Sequence, residues 1–207
     1  MTLLFNKNRV LYALATAFFA LLISPVYAAN DGKLGLCTSC HSKDVDHTIL
    51  AYPELTGMHP EYIIKQMFDF KSGKRKSLFM EPISTQVDEK DIVAIANYYS
   101  AQPRIPGAMR DAALAKKGEK IFASGFAGKM DACAKCHGNE GEGTAKYPRL
   151  NGQHPKYLVQ QLQDFKNGVR NNDNNNEMSK IAKQLSEQDM AALAEYIFAL
   201  KEEPLYE

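Results

Sequence analysis

The sequence has very few cysteines, and it has none outside two short motifs. Only four of its 207 residues are cysteines, and all four lie within residues 37–41 and 133–137. No cysteine is therefore left for a disulfide framework, for a separate zinc site or for a further thiolate ligand to a metal.

An excess of charge of one sign is also missing. Lys and Arg number 25 and Asp and Glu number 24, which gives a formal net charge of +1. Nine basic residues stand against ten acidic ones in residues 29–108, and fourteen stand against fourteen in residues 109–207. Nucleic-acid-binding proteins usually show a clustered basic surface, so the charge pattern does not favour that class.

A hydrophobic run long enough to span a membrane is missing as well. The apolar stretch of residues 11–23 has 13 residues, whereas a spanning helix needs roughly 20. Lys7 and Arg9 precede this stretch and small residues ending at Ala28 follow it, which is the pattern of a secretory signal peptide. We therefore expect export and removal of residues 1–28, with an uncleaved membrane anchor as the alternative. The lack of a cysteine near Ala28 argues against a lipoprotein.

The sequence does contain the pattern C-x-x-C-H twice, with the two histidines 96 residues apart. This pattern is the attachment signature of a c-type haem. Two thiols three positions apart can each add to one vinyl group, and the adjoining imidazole can ligate the iron. A thioredoxin-like pair would need a βαβ context, and a zinc site would need four ligands of its own. The predicted haem-binding residues are Cys37, Cys40, Cys133 and Cys136 for covalent attachment, with His41 and His137 as iron ligands.

The chain also contains an internal repeat. Residues 52–75 align with residues 147–170 without a gap, and 13 of these 24 positions are identical. Pro60 and Pro155 suit the first position of a helix, and apolar residues follow each of them at helical spacing. No stretch of the sequence shows the sustained alternation of apolar and polar residues that is typical of a β-strand. We therefore predict an all-α protein formed by a tandem duplication of two haem-binding domains.

Helix-breaking residues and helix-start patterns predict the domain boundaries. Prolines and a glycine interrupt any helix within residues 100–108. A late helix is predicted from Asp88, and its counterpart follows a capping-box pattern at residues 186–189. A leading helix is expected at residues 111–122, whereas residues 30–36 leave room only for a short one. The predicted organisation is a signal peptide in residues 1–28, a first domain in 29–102, a linker in 103–110 and a second domain in 111–207.

Each iron needs a sixth ligand, and comparison of the two copies identifies candidates. Met80 and Met178 recur at equivalent positions, 39 and 41 residues after the proximal histidines. We predict that both lie on loops and that each ligates one iron. His59 and His154 also recur and are the alternative pair, although a capping or surface role at the start of a helix is the simpler explanation for them. Packing in the core is predicted for the methionines that do not recur: Met58, Met67 and Met190.

Groups around the ligands can also be assigned. Pro53 and Pro148 can each offer a backbone carbonyl to the second ring nitrogen of a proximal histidine, or can simply form a turn. Arg75 and Arg170 can pair with haem propionates, because a guanidinium fork matches a carboxylate, or can form a solvated charged face. The asparagine-rich residues 171–176 are expected to form an exposed loop.

These motifs together resemble those of the dihaem cytochromes c of the c4 type. The shared motifs are the two C-x-x-C-H segments, Tyr-Pro-x-Leu-x-Gly-x-His-Pro, Gln-x-x-Asp-Phe-Lys-x-Gly-x-Arg, and a methionine before a Leu-Ser-Glu-x-Asp helix start. The resemblance covers nearly all of the chain after residue 28. It implies two class I cytochrome c domains related by a pseudo-twofold axis, with their haem edges close together. The sequence departs from the usual pattern of this family in the short segment before Cys37 and in residues 79–82 and 87–91.

The resemblance implies a non-enzymatic, periplasmic electron carrier with two covalent haem c groups. It implies loose membrane association and transfer of electrons from a quinol-oxidising complex to a terminal oxidase. The alternative function is the cytochrome subunit of a flavocytochrome c sulfide dehydrogenase. A dihaem peroxidase is disfavoured because such enzymes are longer. A thiosulfate dehydrogenase is disfavoured because those that resemble this chain use a cysteine ligand, and none is spare.

Overall fold

The computed structural model describes residues 31–42, 51–104 and 107–200. Within these ranges the chain has no β-strand, and a single isolated bridge joins Phe126 and Met130. None of the helices described is long and apolar enough to cross a bilayer. The prediction of an all-α fold is confirmed.

The helices are α1 (Asp31–His41), α2 (Pro60–Lys71), α3 (Met80–Thr85), α4 (Glu89–Ser100), α5 (Ala112–Ser124), α6 (Ala134–His137), α7 (Pro155–Lys166), α8 (Glu177–Ala182) and α9 (Glu187–Ala199), with a 3-10 turn at Asn174–Asn176.

The two copies of the repeat form equivalent helix groups. In the first half α2 packs against α3 and α4, and in the second half α7 packs against α8 and α9. Helix α5 adds a further layer that packs against α9. Pro60 and Pro155 begin α2 and α7, as predicted, because a proline at the first position sacrifices no intrahelical hydrogen bond.

Each half has its own apolar core. The three methionines that do not recur are buried, since Met58, Met67 and Met190 are 3%, 8% and 0% exposed, which confirms their packing role. The buried residues of the first core are Met58, Ile63, Met67, Val87, Ile92, Ile95, Ala96 and Tyr99. The buried residues of the second core are Ile121, Phe122, Met130, Leu158, Leu185, Met190, Leu193, Ala194, Ile197 and Leu200.

Both late helices begin at their predicted places. Asp88 precedes α4, at the predicted place. The predicted capping box at the start of α9 is present: the hydroxyl of Ser186 accepts from the Asp189 backbone N–H at 3.2 Å, and the Asp189 carboxylate accepts from the Ser186 N–H at 3.0 Å. These two bonds satisfy donors that the first turn of a helix leaves without partners.

The prediction that Met80 and Met178 lie on loops is wrong. Met80 is the first residue of α3, and Met178 is the second residue of α8. The sequence pattern did not reveal that a preceding polar side chain binds the backbone of each methionine. The hydroxyl of Ser77 accepts from the Met80 N–H at 3.1 Å, and the carboxylate of Asp173 accepts from the Met178 N–H at 2.7 Å. Both methionines therefore sit at the start of a short helix.

The segments before the two C-x-x-C-H motifs differ. In the first half a single helix, α1, runs through the motif and ends at His41. In the second half the predicted leading helix is α5, which begins after Asp111, and the second motif has its own short helix, α6. The first half thus needs no separate leading helix.

Glu195 on α9 holds the beginning of the second half in place. Its side chain is only 5% exposed. Its carboxylate accepts from the backbone N–H groups of Arg110 at 2.6 Å and Asp111 at 3.0 Å, and from Nη2 of Arg110 at 2.7 Å. Burial alone would raise the pKa of Glu195, but these bonds and the charge of Arg110 outweigh it and hold the pKa below its usual value.

Replacing Glu195 with Gln should lower the free energy of unfolding at pH 7 by about 1–3 kcal/mol. The pKa of Glu195 is depressed in the folded protein, so its contribution is present above the unfolded pKa of about 4.3 and is lost as the pH falls below that value. Urea unfolding of both proteins between pH 7 and pH 3 measures the difference, which should shrink in acid. Glu187→Gln, at an exposed position of the same helix, is the control. A difference that stays constant with pH would contradict this account.

Candidate functional site

The first C-x-x-C-H motif lies at the end of α1. Cys37 and Cys40 are half-buried, and His41 is only 8% exposed. The Nδ1 atom of His41 lies 3.0 Å from the carbonyl oxygen of Pro53. Because a carbonyl only accepts, Nδ1 carries the proton of the neutral ring, and Nε2 is the nitrogen with the chemistry of a metal ligand.

The second motif repeats this geometry. Cys133 caps α6, and His137, at the end of α6, is 5% exposed. The Nδ1 atom of His137 lies 2.9 Å from the carbonyl oxygen of Pro148. Burial lowers the pKa of His137, with a smaller opposing effect of the bond to Pro148, so the ring is neutral at pH 7. A neutral imidazole is the form that ligates iron.

The cysteines fit covalent attachment of a haem. All four thiols are free. Burial raises the pKa of Cys37 to about 11, with a smaller contribution from Cys40, and burial raises the pKa of Cys133 to about 11 as well. Cys37 packs against the first core and Cys133 against the second. Each site therefore combines two thiols, an oriented imidazole and an adjoining apolar surface, which is the donor set that a c-type haem requires.

The two candidate pairs of sixth ligands lie in different surroundings. Met80 is half-buried and packs against the first core, and Met178 is half-buried at the start of α8. His59 and His154 lie immediately before α2 and α7. Nε2 of His59 is 3.2 Å from the carbonyl oxygen of Glu142, in the other half. The assignment of Met80 and Met178 as iron ligands stays a prediction.

Sequence reasoning missed an aromatic residue beside each proximal histidine. The Tyr52 ring lies 6.0 Å from the His41 ring, and the Tyr147 ring lies 5.9 Å from the His137 ring, measured between centroids. The sequence did contain a sign of these contacts. In both copies a tyrosine directly precedes the proline whose carbonyl accepts from the histidine. These rings pack against the imidazoles and restrict their rotation.

Arg75 and Arg170 lie at the contact between the halves, where both are only 8% exposed. The alternative of a solvated charged face is therefore wrong. Arg75 donates from Nη2 to the Tyr157 hydroxyl at 3.0 Å and to Gln161 at 2.7 Å. Arg170 donates reciprocally from Nη2 to the Tyr62 hydroxyl at 2.9 Å. Each arginine thus binds side chains of the opposite half, and its pairing with a propionate stays a prediction.

Asn172 joins the same network, so the expectation that residues 171–176 are an exposed loop is wrong at this position. Asn172 is 2% exposed. Its amide donates to Gln66 at 3.0 Å and to Asp69 at 2.6 Å, both on α2 of the first half. The insertion therefore supplies a cross-half contact that has no counterpart in the first copy.

Gln66 is the shared acceptor of this network, so its loss should weaken the contact between the halves. Its Oε1 atom accepts from Arg75 at 2.8 Å, Arg170 at 3.2 Å and Asn172 at 3.0 Å. Gln66→Leu leaves buried donors without an acceptor and should lower the free energy of unfolding by about 2–4 kcal/mol. Chemical denaturation of the haem-loaded protein measures this loss. The control is Gln160→Leu, at an exposed position on α7. It should lower the free energy of unfolding by less than about 0.5 kcal/mol. Equal losses in both variants would contradict the role of Gln66.

Comparisons with known proteins agree with this geometry. The cytochrome c family model matches residues 115–201. A cytochrome c4 of Pseudomonas aeruginosa is 40% identical over 177 residues, which cover 84% of this chain and 88% of that protein. The crystal structure of reduced recombinant cytochrome c4 from Pseudomonas stutzeri matches with a TM-score of 0.78 and 36% identity, over 86% of this chain and all of the other. A thiosulfate dehydrogenase electron acceptor of Stutzerimonas stutzeri is 34% identical over 165 residues, which cover 77% of this chain and 76% of that protein.

The similarity to cytochrome c4 extends over both halves, which confirms a tandem arrangement of two cytochrome c-like domains. The family and the two motifs support covalently bound haem c and electron transport. The chain therefore belongs to the cytochrome c4 family of dihaem electron-transfer cytochromes.

Proposed function

We propose that this protein is a periplasmic carrier that passes electrons from a quinol-oxidising complex to a terminal oxidase, with one covalent haem c at each C-x-x-C-H motif. The observation that carries the proposal is the paired geometry of His41 with Pro53 and of His137 with Pro148. In both halves this hydrogen bond places the ring proton on Nδ1, so that Nε2 is the nitrogen that would bind iron.

The residues that would hold the two groups follow from this geometry. Cys37 and Cys40 would form the thioether links of the first haem, and Cys133 and Cys136 those of the second. Met80 and Met178 would complete the coordination of the two irons.

When bound, each haem supplies an iron that gains or loses one electron. The carbonyls of Pro53 and Pro148 orient the two proximal imidazoles, and the adjoining apolar cores would help to keep water from the haems. Because the chain itself would fill both axial positions, no open coordination position is left for a substrate. Outer-sphere electron transfer needs no general acid or base, so the proposal requires no catalytic residue.

The same proposal includes export and a two-domain organisation. The proposed signal peptide, residues 1–28, lies outside the described residues. The division into a first domain of residues 29–102, a linker of 103–110 and a second domain of 111–207 is supported by the two separate apolar cores.

A second candidate is the role named for one relative, the electron acceptor of a thiosulfate dehydrogenase. The chemistry of the carrier would be unchanged, and only its electron donor would differ. None of the relatives described above is a subunit of a flavocytochrome, so that alternative gains no support from them.

A redox titration of the haem-loaded protein, followed by optical and paramagnetic resonance spectra, tests the carrier function. We expect two reversible one-electron steps and the far-red band of methionine bound to ferric iron. Binding of carbon monoxide by the reduced native protein, or rapid turnover of peroxide, would contradict the proposal. Addition of thiosulfate with a purified thiosulfate dehydrogenase distinguishes the two roles, because only the second predicts rapid reduction of this protein.

A further inference from the structure

Two large apolar side chains are exposed just before Met80. Leu78 is 93% exposed and Phe79 is 63% exposed. Lys74 and Lys76, which precede them, are also exposed, and the Lys76 side chain retains 67% of its accessible surface. We call these four residues the basic apolar patch. Solvent-exposed large apolar residues flanked by charge are characteristic of protein interaction sites.

The second half has no equivalent of this patch. Between Gly73 and Met80 the chain has three basic residues and no acidic one, whereas the segment between Gly168 and Met178 has one basic and two acidic residues. That segment contains no leucine or phenylalanine, and Val169 is its exposed apolar residue. The two halves therefore present opposite charge at matching places.

The patch is in ring contact with the first proposed haem site. The Phe79 ring lies edge-on to the Tyr52 ring, 6.4 Å between centroids, and Tyr52 in turn lies 6.0 Å from the ring of His41. A short series of packed rings thus connects the exposed surface with the proximal ligand. In the second half Lys146, rather than an aromatic residue, lies over the Tyr147 ring at 4.7 Å.

We propose that the basic apolar patch is the docking surface for an acidic redox protein, so that electrons are exchanged with that partner through the first half. The inference rests on the proposed carrier function and adds the chemistry of the partner. The lysines would attract carboxylates around the partner's redox centre, while Leu78 and Phe79 would pack against an apolar contact at its middle. The exchange moves one electron between the two redox centres, and it breaks no bond and needs no proton.

The size of the patch favours a protein over a lipid surface. Stable attachment to anionic membranes takes a cluster of four to eight basic residues or a long amphipathic helix. The patch has only two exposed lysines, which is fewer than such attachment takes. Docking of a small acidic protein needs only a few charges, because these act mainly on the rate of encounter.

The test uses the haem-loaded protein and a soluble blue-copper protein with an acidic patch as the probe. Stopped-flow spectroscopy follows electron exchange at increasing ionic strength. The double variant Lys74→Gln/Lys76→Gln should slow exchange by about tenfold at low salt and flatten its salt dependence. Leu78→Ser should slow the exchange and leave the salt dependence unchanged. The control Val169→Glu/Asn171→Glu changes the net charge by the same amount at the matching place of the second half, and should change the rate by less than about twofold.

Three outcomes would overturn the docking surface. Equal slowing by the lysine variant and the control would show that only net charge matters, and an unchanged rate in both would show that neither segment is used. Sedimentation of the wild type, but not of the lysine variant, with phosphatidylglycerol vesicles would assign the patch to a membrane instead. A wild type that fails to exchange electrons even with ferricyanide would refute the carrier function itself, which separates the two failures.

Discussion

Replacing Met80 or Met178 with alanine is expected to remove about half of the far-red absorption of the oxidised protein and to lower one of its two reduction potentials. Methionine opposite histidine favours ferrous iron, and its loss opens a coordination position to water or to carbon monoxide. The shift should be on the order of a few hundred millivolts, within the ~0.8 V over which axial ligands tune haem iron. Redox titration of each variant, with spectra at every step, measures both effects.

Matched variants separate ligation from packing. Met67 is buried in the first core and aligns with a leucine in the second copy, so Met67→Leu should leave the spectrum and both potentials unchanged. The double variant His59→Ala/His154→Ala should also keep the far-red band. If the wild type lacked this band, and the histidine variant rather than the variants at Met80 and Met178 shifted the reduction potentials, the histidines would be the ligands.

Replacing Cys37 and Cys40 with serine is expected to give a protein that carries one covalent haem rather than two. All four cysteines belong to the two motifs, so no other thiol can attach the first group. The first core should lose much of its stability, because small domains depend on such cross-links to complete the core. Haem content per polypeptide, from the pyridine haemochrome spectrum, and urea unfolding measure the two effects.

The reciprocal variant Cys133→Ser/Cys136→Ser should lose the other haem and destabilise the second core instead. Ser39→Ala, which changes an exposed position inside the first motif without removing a thiol, should keep both groups. Loss of both haems from either double-cysteine variant would contradict the independence of the two sites.

Local sequence patterns were sufficient to predict much of the fold. The prolines at the starts of α2 and α7 and the capping box at Ser186 act within a few residues of themselves, so their effect can be read from the sequence. The approach of His41 and His137 to proline carbonyls was suggested by the recurrence of a proline 12 and 11 residues after the two histidines.

Contacts between the halves could not be predicted in this way. Arg75 and Tyr157 are 82 residues apart in the sequence, and Asn172 and Asp69 are 103 apart, so no local periodicity relates them. The same limit explains the error on the asparagine-rich insertion. Asparagine is common in exposed turns, but a buried polar contact across the two halves holds Asn172 in place.

The positions of Met80 and Met178 show a different limit. In each copy a preceding side chain, Ser77 or Asp173, accepts from the N–H of the methionine, and the spacing from that side chain to the methionine differs between the copies. Because the insertion precedes Met178, alignment of the copies located the methionines but did not show that a short helix begins at each.

The central claim is that the mature chain carries two covalently attached haems. The intact mass of the protein purified from its native host, measured under denaturing conditions that remove any group held only by coordination, tests this directly. The account predicts a mass equal to the processed polypeptide plus two porphyrin adducts. A mass showing one adduct, or none, would contradict it.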